Sequence, residues 1–130
     1  MAAILLVDDD AMLRDAVERL LAQAGHNVVA VADGREALNR LQASPPDIVI
    51  TDILMPRMDG IEAIHAIRKV NATVKIIAMS GGGRARVMDF LPVATRAGAD
   101  FTLQKPVRRA DLLQCVARCL GTAPSSAAPK

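Results

Sequence analysis

Tryptophan and tyrosine are absent from the 130 residues, and two phenylalanines make up the whole aromatic complement. Without rings at regular spacing there is no platform for stacking the bases of single-stranded nucleic acid, and no direct DNA binding is expected. Cysteine is almost as scarce. Cys115 and Cys119, four apart in a helix-patterned stretch, fit neither a CxxC redox pair nor a four-ligand zinc set, and read as reduced residues buried like small apolar groups. No run approaches the roughly 20 apolar residues of a membrane-spanning helix, and the N-terminus enters a strand pattern without the basic head of a signal peptide. A cytoplasmic protein with no membrane attachment is expected. A strong excess of either charge is missing too: 16 Lys+Arg against 14 Asp+Glu leave +2. With 52% apolar residues this is an ordinary globular composition, and a chain of this length can bury roughly two thirds of its unfolded surface in one core.

What is present is an alternation. Asp47 to Thr51 is a short run rich in β-branched residues, closed by Asp52 and the Met55-Pro56 break, and reads as a strand buried on both faces. Ala3 to Val7 is a similar strand, running directly into Asp8-Asp9-Asp10. Asn27 to Val31, Val74 to Ala78 and Phe101 to Gln104 complete five. Between them lie helical stripes: Leu13, Val17, Leu20 and Leu21, stopped by Gly25; then Ala37, Leu38 and Leu41 after the Asp33-Gly34 turn; then Ile61, Ile64 and Ile67. A helix from about Met88 to Ala97 contains Pro92, and a final one carries Leu112, Leu113, Val116, Cys119 and Leu120. Strands alternating with helices predict a single α/β domain, a five-stranded parallel sheet doubly wound by helices. The domain is expected over residues 1–120, with 121–130, rich in Ala, Pro and Ser, a disordered tail.

In such a sheet the C-terminal ends of the strands share one rim, where open α/β sheets bind ligands. Asp8 and Asp9 follow the first strand, Asp52 ends the third, Ser80 follows the fourth and Lys105 the fifth. A helix N-cap role can account for Asp10, or for Asp9 as well, but not for three acids together with Asp52 in the same crevice. Carboxylates gathered in one crevice suit a hard divalent cation such as Mg²⁺. A carboxylate nucleophile, a metal, an ammonium and a hydroxyl donor are together the parts needed to hold a phosphoryl group in transfer.

These residues resemble a known family. Asp8-Asp9, Asp52 followed by Met55-Pro56 and Asp59-Gly60, then Ser80, Gly98-Ala99-Asp100 and Lys105-Pro106 look like the receiver domain of two-component response regulators, over about Ile4 to Leu120. The resemblance implies a flavodoxin-like (βα)5 fold and a stand-alone, chemotaxis-regulator-like receiver in phosphorelay signalling. Asp52 would take a phosphoryl group from a sensor histidine kinase or a histidine phosphotransfer protein. Asp9, Asp52 and the Leu54 carbonyl would ligate Mg²⁺, with Asp8 acting through a bound water, while Ser80 and Lys105 would bind phosphoryl oxygens. The Lys105-Pro106 peptide would be cis. Such a protein catalyses its own phosphorylation and dephosphorylation and is otherwise no enzyme. It switches partner binding, because phosphorylation adds charge and acceptors that Ser80 and Lys105 can answer.

The family's usual ring three residues before the lysine is Thr102 here, with Phe101 one residue earlier and so on the opposite sheet face. Output is therefore expected through the loop after Ser80 and the Pro92-containing helix. At the variable positions Leu54 and Gly82 neither side chain could position a water, so acyl-phosphate hydrolysis is expected to proceed unassisted. Residues 84–130 hold 8 Lys+Arg against 3 Asp+Glu. That stretch includes the family's usual output surface, with Arg84, Arg86, Arg96, Arg108, Arg109 and Arg118. An acidic or phosphate-bearing partner would suit it, although a solvated arginine surface is the plainer account. An aspartyl-phosphate phosphatase or phosphotransferase is the alternative; such enzymes often place a second acid two residues after the nucleophile, where this chain has Leu54. A flavodoxin-like cofactor binder is disfavoured by the acidic crevice. Gly81 to Gly83 lack the following Gly-Lys-Ser/Thr of a P-loop, and His26 and His65 have no ligand partners at metal spacing.

Overall fold

A computed structural model describes residues 2–52, 60–80, 95, 98–105 and 107–121, with backbone alone at Gly60, Ile61 and Ser80. The order of elements is β1 (Ala3–Val7), α1 (Ala11–Gln23), β2 (Asn27–Val31), α2 (Gly34–Ala43), β3 (Ile48–Asp52), α3 (Gly60–Val70), β4 (Lys75–Ser80), β5 (Phe101–Gln104) and α4 (Arg109–Cys119). The strands form one sheet in the order β2-β1-β3-β4-β5, and every pairing is parallel. The expected five-stranded α/β architecture is the observed one. Most of the helix expected from Met88 to Ala97, the glycines 81–83, the Lys105-Pro106 peptide and the tail beyond Gly121 lie outside the described residues.

The sheet is buried on both faces because its inner strands are apolar through their middles, with polar residues confined to Thr51-Asp52 at the end of β3 and to Lys75 and Ser80 at the two ends of β4. Side chains alternate across a strand, so Leu5, Val7, Val49, Ile76 and Ala78 join one core, which α2 and α3 cover with Ala37, Leu41, Ala63, Ile64 and Ile67. Ile4, Leu6, Ile48, Ile50, Ile77, Met79 and Leu103 join the other, covered by Val17 and Leu21 of α1 and by Leu112, Val116 and Cys119 of α4. Burying a side chain of this size contributes about 1.5–3 kcal/mol. β3 lies mid-sheet, its five residues all buried. The stretch that carries Asp52 is thus the most constrained in position.

Local signals set the ends. The Asp10 carboxylate caps α1 by accepting from the amides of Met12 and Leu13, and Gly25, at φ 96°, turns the chain out of that helix. Asp33 caps α2 by accepting from the Glu36 amide, while Glu36 Oε1 accepts from the Ala32 amide. The boundaries of two strands differ from expectation: β3 covers Ile48–Asp52, one residue later than the expected Asp47 to Thr51, and β4 differs at both ends. β4 runs two residues past Ala78 to Ser80, because Met79 pairs with Asp52 and Leu103 and Ser80 pairs with Gln104. The strand also starts at Lys75 instead of Val74, whose amide donates to Asn71 Oδ1 in a turn. Pairing with Gln104 overrides the weak strand preference of serine. Ser80 is therefore the last residue of a strand and not the first of a loop.

Candidate functional site

Asp8 sits where β1 ends and is completely buried. Its amide donates to Val31 O at 3.1 Å, its Oδ1 accepts from the Asp10 amide at 2.9 Å, and its carbonyl accepts from Arg14 Nη1 at 2.8 Å. Asp8 Oδ2 is buried and has no hydrogen-bond partner among the described residues. Lys105 Nζ stands 3.2 Å away, an ion-pair contact without hydrogen-bond alignment. Asp52, at the end of β3, is 4% exposed and accepts from the same ammonium at 2.9 Å through Oδ2. Lys105 follows β5 and reaches both acids with 18% of its side chain exposed. Asp9 is exposed, and one carboxylate oxygen each from Asp8, Asp9 and Asp52 lie within 4.8 Å of one another.

The electrostatics follow from this crowding. Burial pushes the Asp8 carboxyl above its usual 3.8; the Asp10 amide and Lys105 oppose that, and the charge of Asp52 adds to it. Burial alone would lower Lys105. The hydrogen bond and charge of Asp52, then the charge of Asp8, outweigh it and hold the ammonium above its usual 10.5. Among the described residues, two buried carboxylates thus share the Lys105 ammonium. An all-oxygen donor set, with one buried oxygen lacking a hydrogen bond, fits a hard divalent cation of the Mg²⁺ class. No helix of the described residues is long and apolar enough to cross a membrane.

Of the residues singled out in the sequence, Asp8, Asp9, Asp52 and Lys105 come together. Ser80 ends β4 on the same rim, its side chain outside the described residues, and Leu54 lies outside them as well. Phe101 packs against the core under α1 and α4, the face opposite Thr102. Arg14 escaped notice. A cation in the first turn of a helix opposes the helix dipole, and that was the available sign that Arg14 serves a specific acceptor.

Known proteins agree with this geometry. The family model described as response regulator receiver domain matches residues 4–117. The chemotaxis protein CheY of Thermotoga maritima is 36% identical over 115 residues, covering 87% of this chain and 92% of that protein. The response regulator MprA of Mycolicibacterium vanbaalenii is 36% identical over 110 residues, but the chain spans only 46% of its length. The crystal structure of the receiver domain of NtrX from Brucella abortus superimposes with a TM-score of 0.85 at 30% identity, covering 92% of this chain and 99% of that one.

Proposed function

The chain belongs to the family of response regulator receiver domains, and on that premise we propose that Asp52 is a phosphoryl acceptor charged from a phosphohistidine. A carboxylate oxygen of Asp52 attacks phosphorus, the phosphorus–nitrogen bond breaks, and the imidazole leaves with the bonding pair and takes up a proton. The product is a mixed anhydride on Asp52. Asp9, Asp52 and the Leu54 carbonyl would hold Mg²⁺, with Asp8 acting through a water, and the ion when bound would supply charge that neutralises the phosphoryl oxygens.

The chain's own groups do the rest. β3 fixes Asp52 in a buried strand, so the nucleophile needs little reorganisation to meet its donor. Lys105 carries a fixed positive charge that can pass from the Asp52 and Asp8 oxygens to a phosphoryl oxygen, and the Ser80 hydroxyl can donate to another. Replacing one negative charge by roughly −1.5 to −2 on Asp52 pulls both groups toward it. The end of β4 and the end of β5 would then move together, and that movement would alter the surface a partner meets. Lys105, Arg108 and Arg118 line a groove of ≈ 520 Å³ with Gln104, Gln114 and one acid, Asp111. An acidic downstream partner would meet net positive charge there. The protein turns over no substrate besides its own acyl phosphate.

The observation that carries the proposal is the single ammonium held at 2.9 and 3.2 Å from two buried carboxylates, with a third in ligand reach. Incubation with acetyl phosphate and Mg²⁺ followed by intact-mass measurement tests it. The wild type is expected to gain one phosphate, and neither Asp52→Asn nor wild type in excess EDTA should do so. An adduct that persists in Asp52→Asn would overturn the assignment.

A further inference from the structure

The acceptor chemistry leaves Gly98-Ala99-Asp100 without a role, although the triplet stands out in the sequence. Its surroundings supply one. The Arg68 guanidinium, on α3, donates through Nη1 to the carbonyls of Ala72 at 2.9 Å and Val74 at 2.6 Å. Through Nη2 it donates to the Gly98 carbonyl at 2.7 Å and to Asp100 Oδ2 at 3.0 Å. One planar fork therefore ties the chain entering β4 to the chain entering β5. Asp100 completes the tie: its amide donates to Ile76 O at 2.7 Å and its Oδ2 accepts from the Ile76 amide at 2.9 Å. Gly98 is required for this approach. It sits at φ 131°, and a Cβ there would lie 3.3 Å from Arg68 Nε.

Among the described residues β5 is an edge strand of four residues, paired with β4 alone. Two of them, Phe101 and Leu103, face the core under α4, a short apolar signal for fixing register. A slip of one residue would send every following side chain to the other face, and Lys105 follows the strand directly. We propose that Arg68 and Asp100 are positioning residues for phosphoryl transfer: they lock the start of β5 against β4, and the lock seats Lys105 against Asp52 and Asp8. The clamp and the ammonium are five residues apart, on the order of 16 Å along an extended chain. Lysine at position 68 could not reproduce the clamp, because one ammonium cannot present two parallel donor pairs in a plane.

This inference rests on the phosphoacceptor reading of Asp52. Its test is a double-mutant cycle of initial phosphorylation rates with acetyl phosphate and Mg²⁺, using wild type, Arg68→Ala, Lys105→Ala and the double variant, each checked as folded by urea titration. Arg68→Ala is expected to be roughly ten- to a hundredfold slower than wild type, in line with a small misplacement of a reacting group. In the Lys105→Ala background the same change is expected to do nothing further. Equal slowing in both backgrounds would mean a general structural role and would overturn the inference, as would an unchanged rate in Arg68→Ala. Asp100→Asn keeps an oxygen for the Ile76 amide while losing the charge opposite Arg68. It takes the place of Arg68→Ala in the cycle if that variant does not fold, and the same two outcomes decide. A wild type that accepts no phosphate would overturn the parent reading and this one with it. A phosphorylated wild type with no Arg68–Lys105 coupling would overturn this one alone.

Discussion

At the two ends of the sheet the polar side chains face different kinds of partner. Before the strands begin, they bind mainly backbone: Asp47 Oδ2 accepts from the Ala3 amide, His26 Nδ1 from the Ala2 amide, Asn71 Oδ1 from the amides of Thr73 and Val74, and Arg68 donates to three carbonyls besides Asp100 Oδ2, which is itself tied to the Ile76 amide. Where the strands end, charged side chains face one another, with Asp8, Asp52 and Lys105 within 3.2 Å contacts. A backbone amide cannot leave its place, whereas an ammonium held between two carboxylates can be drawn to a stronger anion. One end is built to hold and the other to exchange partners. The contrast teaches that a polar residue's role is set by whether its partner is covalently fixed.

Lys105→Ala breaks this contrast most severely. It removes the ammonium from two acids that are 0% and 4% exposed. Losing one partner of a buried ion pair costs about 3–5 kcal/mol, and the partial exposure of Lys105 puts the expected loss near the lower figure. The loss is expected in urea unfolding with EDTA. Mg²⁺ should return most of it, since a divalent cation among the carboxylates replaces the missing charge. If the gap between variant and wild type is the same with and without Mg²⁺, the acid cluster is not the metal site.

Asn71→Ala sharpens the contrast from the other end. The Asn71 carbonyl oxygen accepts from two amides and from the Thr73 hydroxyl, each at 3.0 Å, in the turn entering β4. Its removal is expected to cost about 1–2 kcal/mol, identically in EDTA and in Mg²⁺. A Mg²⁺-dependent loss here would mean that the two ends are energetically coupled through β4, and the division of labour would fail.

The same division explains what the sequence made legible. Apolar runs alternating with helical stripes fixed the order of elements, and a parallel sheet brings all its strand ends to one rim, so Asp8, Asp9, Asp52 and Lys105 could be grouped before any geometry was known. Side chains that bind side chains leave a trace in composition: acids gathered at one rim require a cation. Arg14 binds a carbonyl and Arg68 three carbonyls besides Asp100, and a carbonyl is present at every residue, so no pairing pattern marks those partners. The boundary of β4 was illegible for a related reason. Whether Met79 and Ser80 belong to a strand depends on Asp52, Leu103 and Gln104 lying beside them, and nothing local to those two residues carries that information.

The smallest expected effect has the opposite sign. Burial raises the Asp8 carboxyl above 3.8 despite Lys105 beside it, so the folded protein binds this proton more tightly than the unfolded chain does. Stability attributable to Asp8 is then greatest below its unfolded value and declines as pH rises through the raised folded value. Asp8→Asn deletes that titration while leaving an oxygen to accept from the Asp10 amide. In EDTA the variant is expected to show a flatter urea midpoint between about pH 4 and 7 and to be more stable than wild type at the upper limit. The gain should be modest, because Lys105 already offsets part of the burial penalty. In Mg²⁺ the order should reverse, since only the wild type keeps the full set of carboxylates. A metal-free Asp8→Asn protein less stable than wild type at neutral pH would mean that attraction to Lys105 outweighs desolvation, and the exchanging end would then be as firmly held as the other.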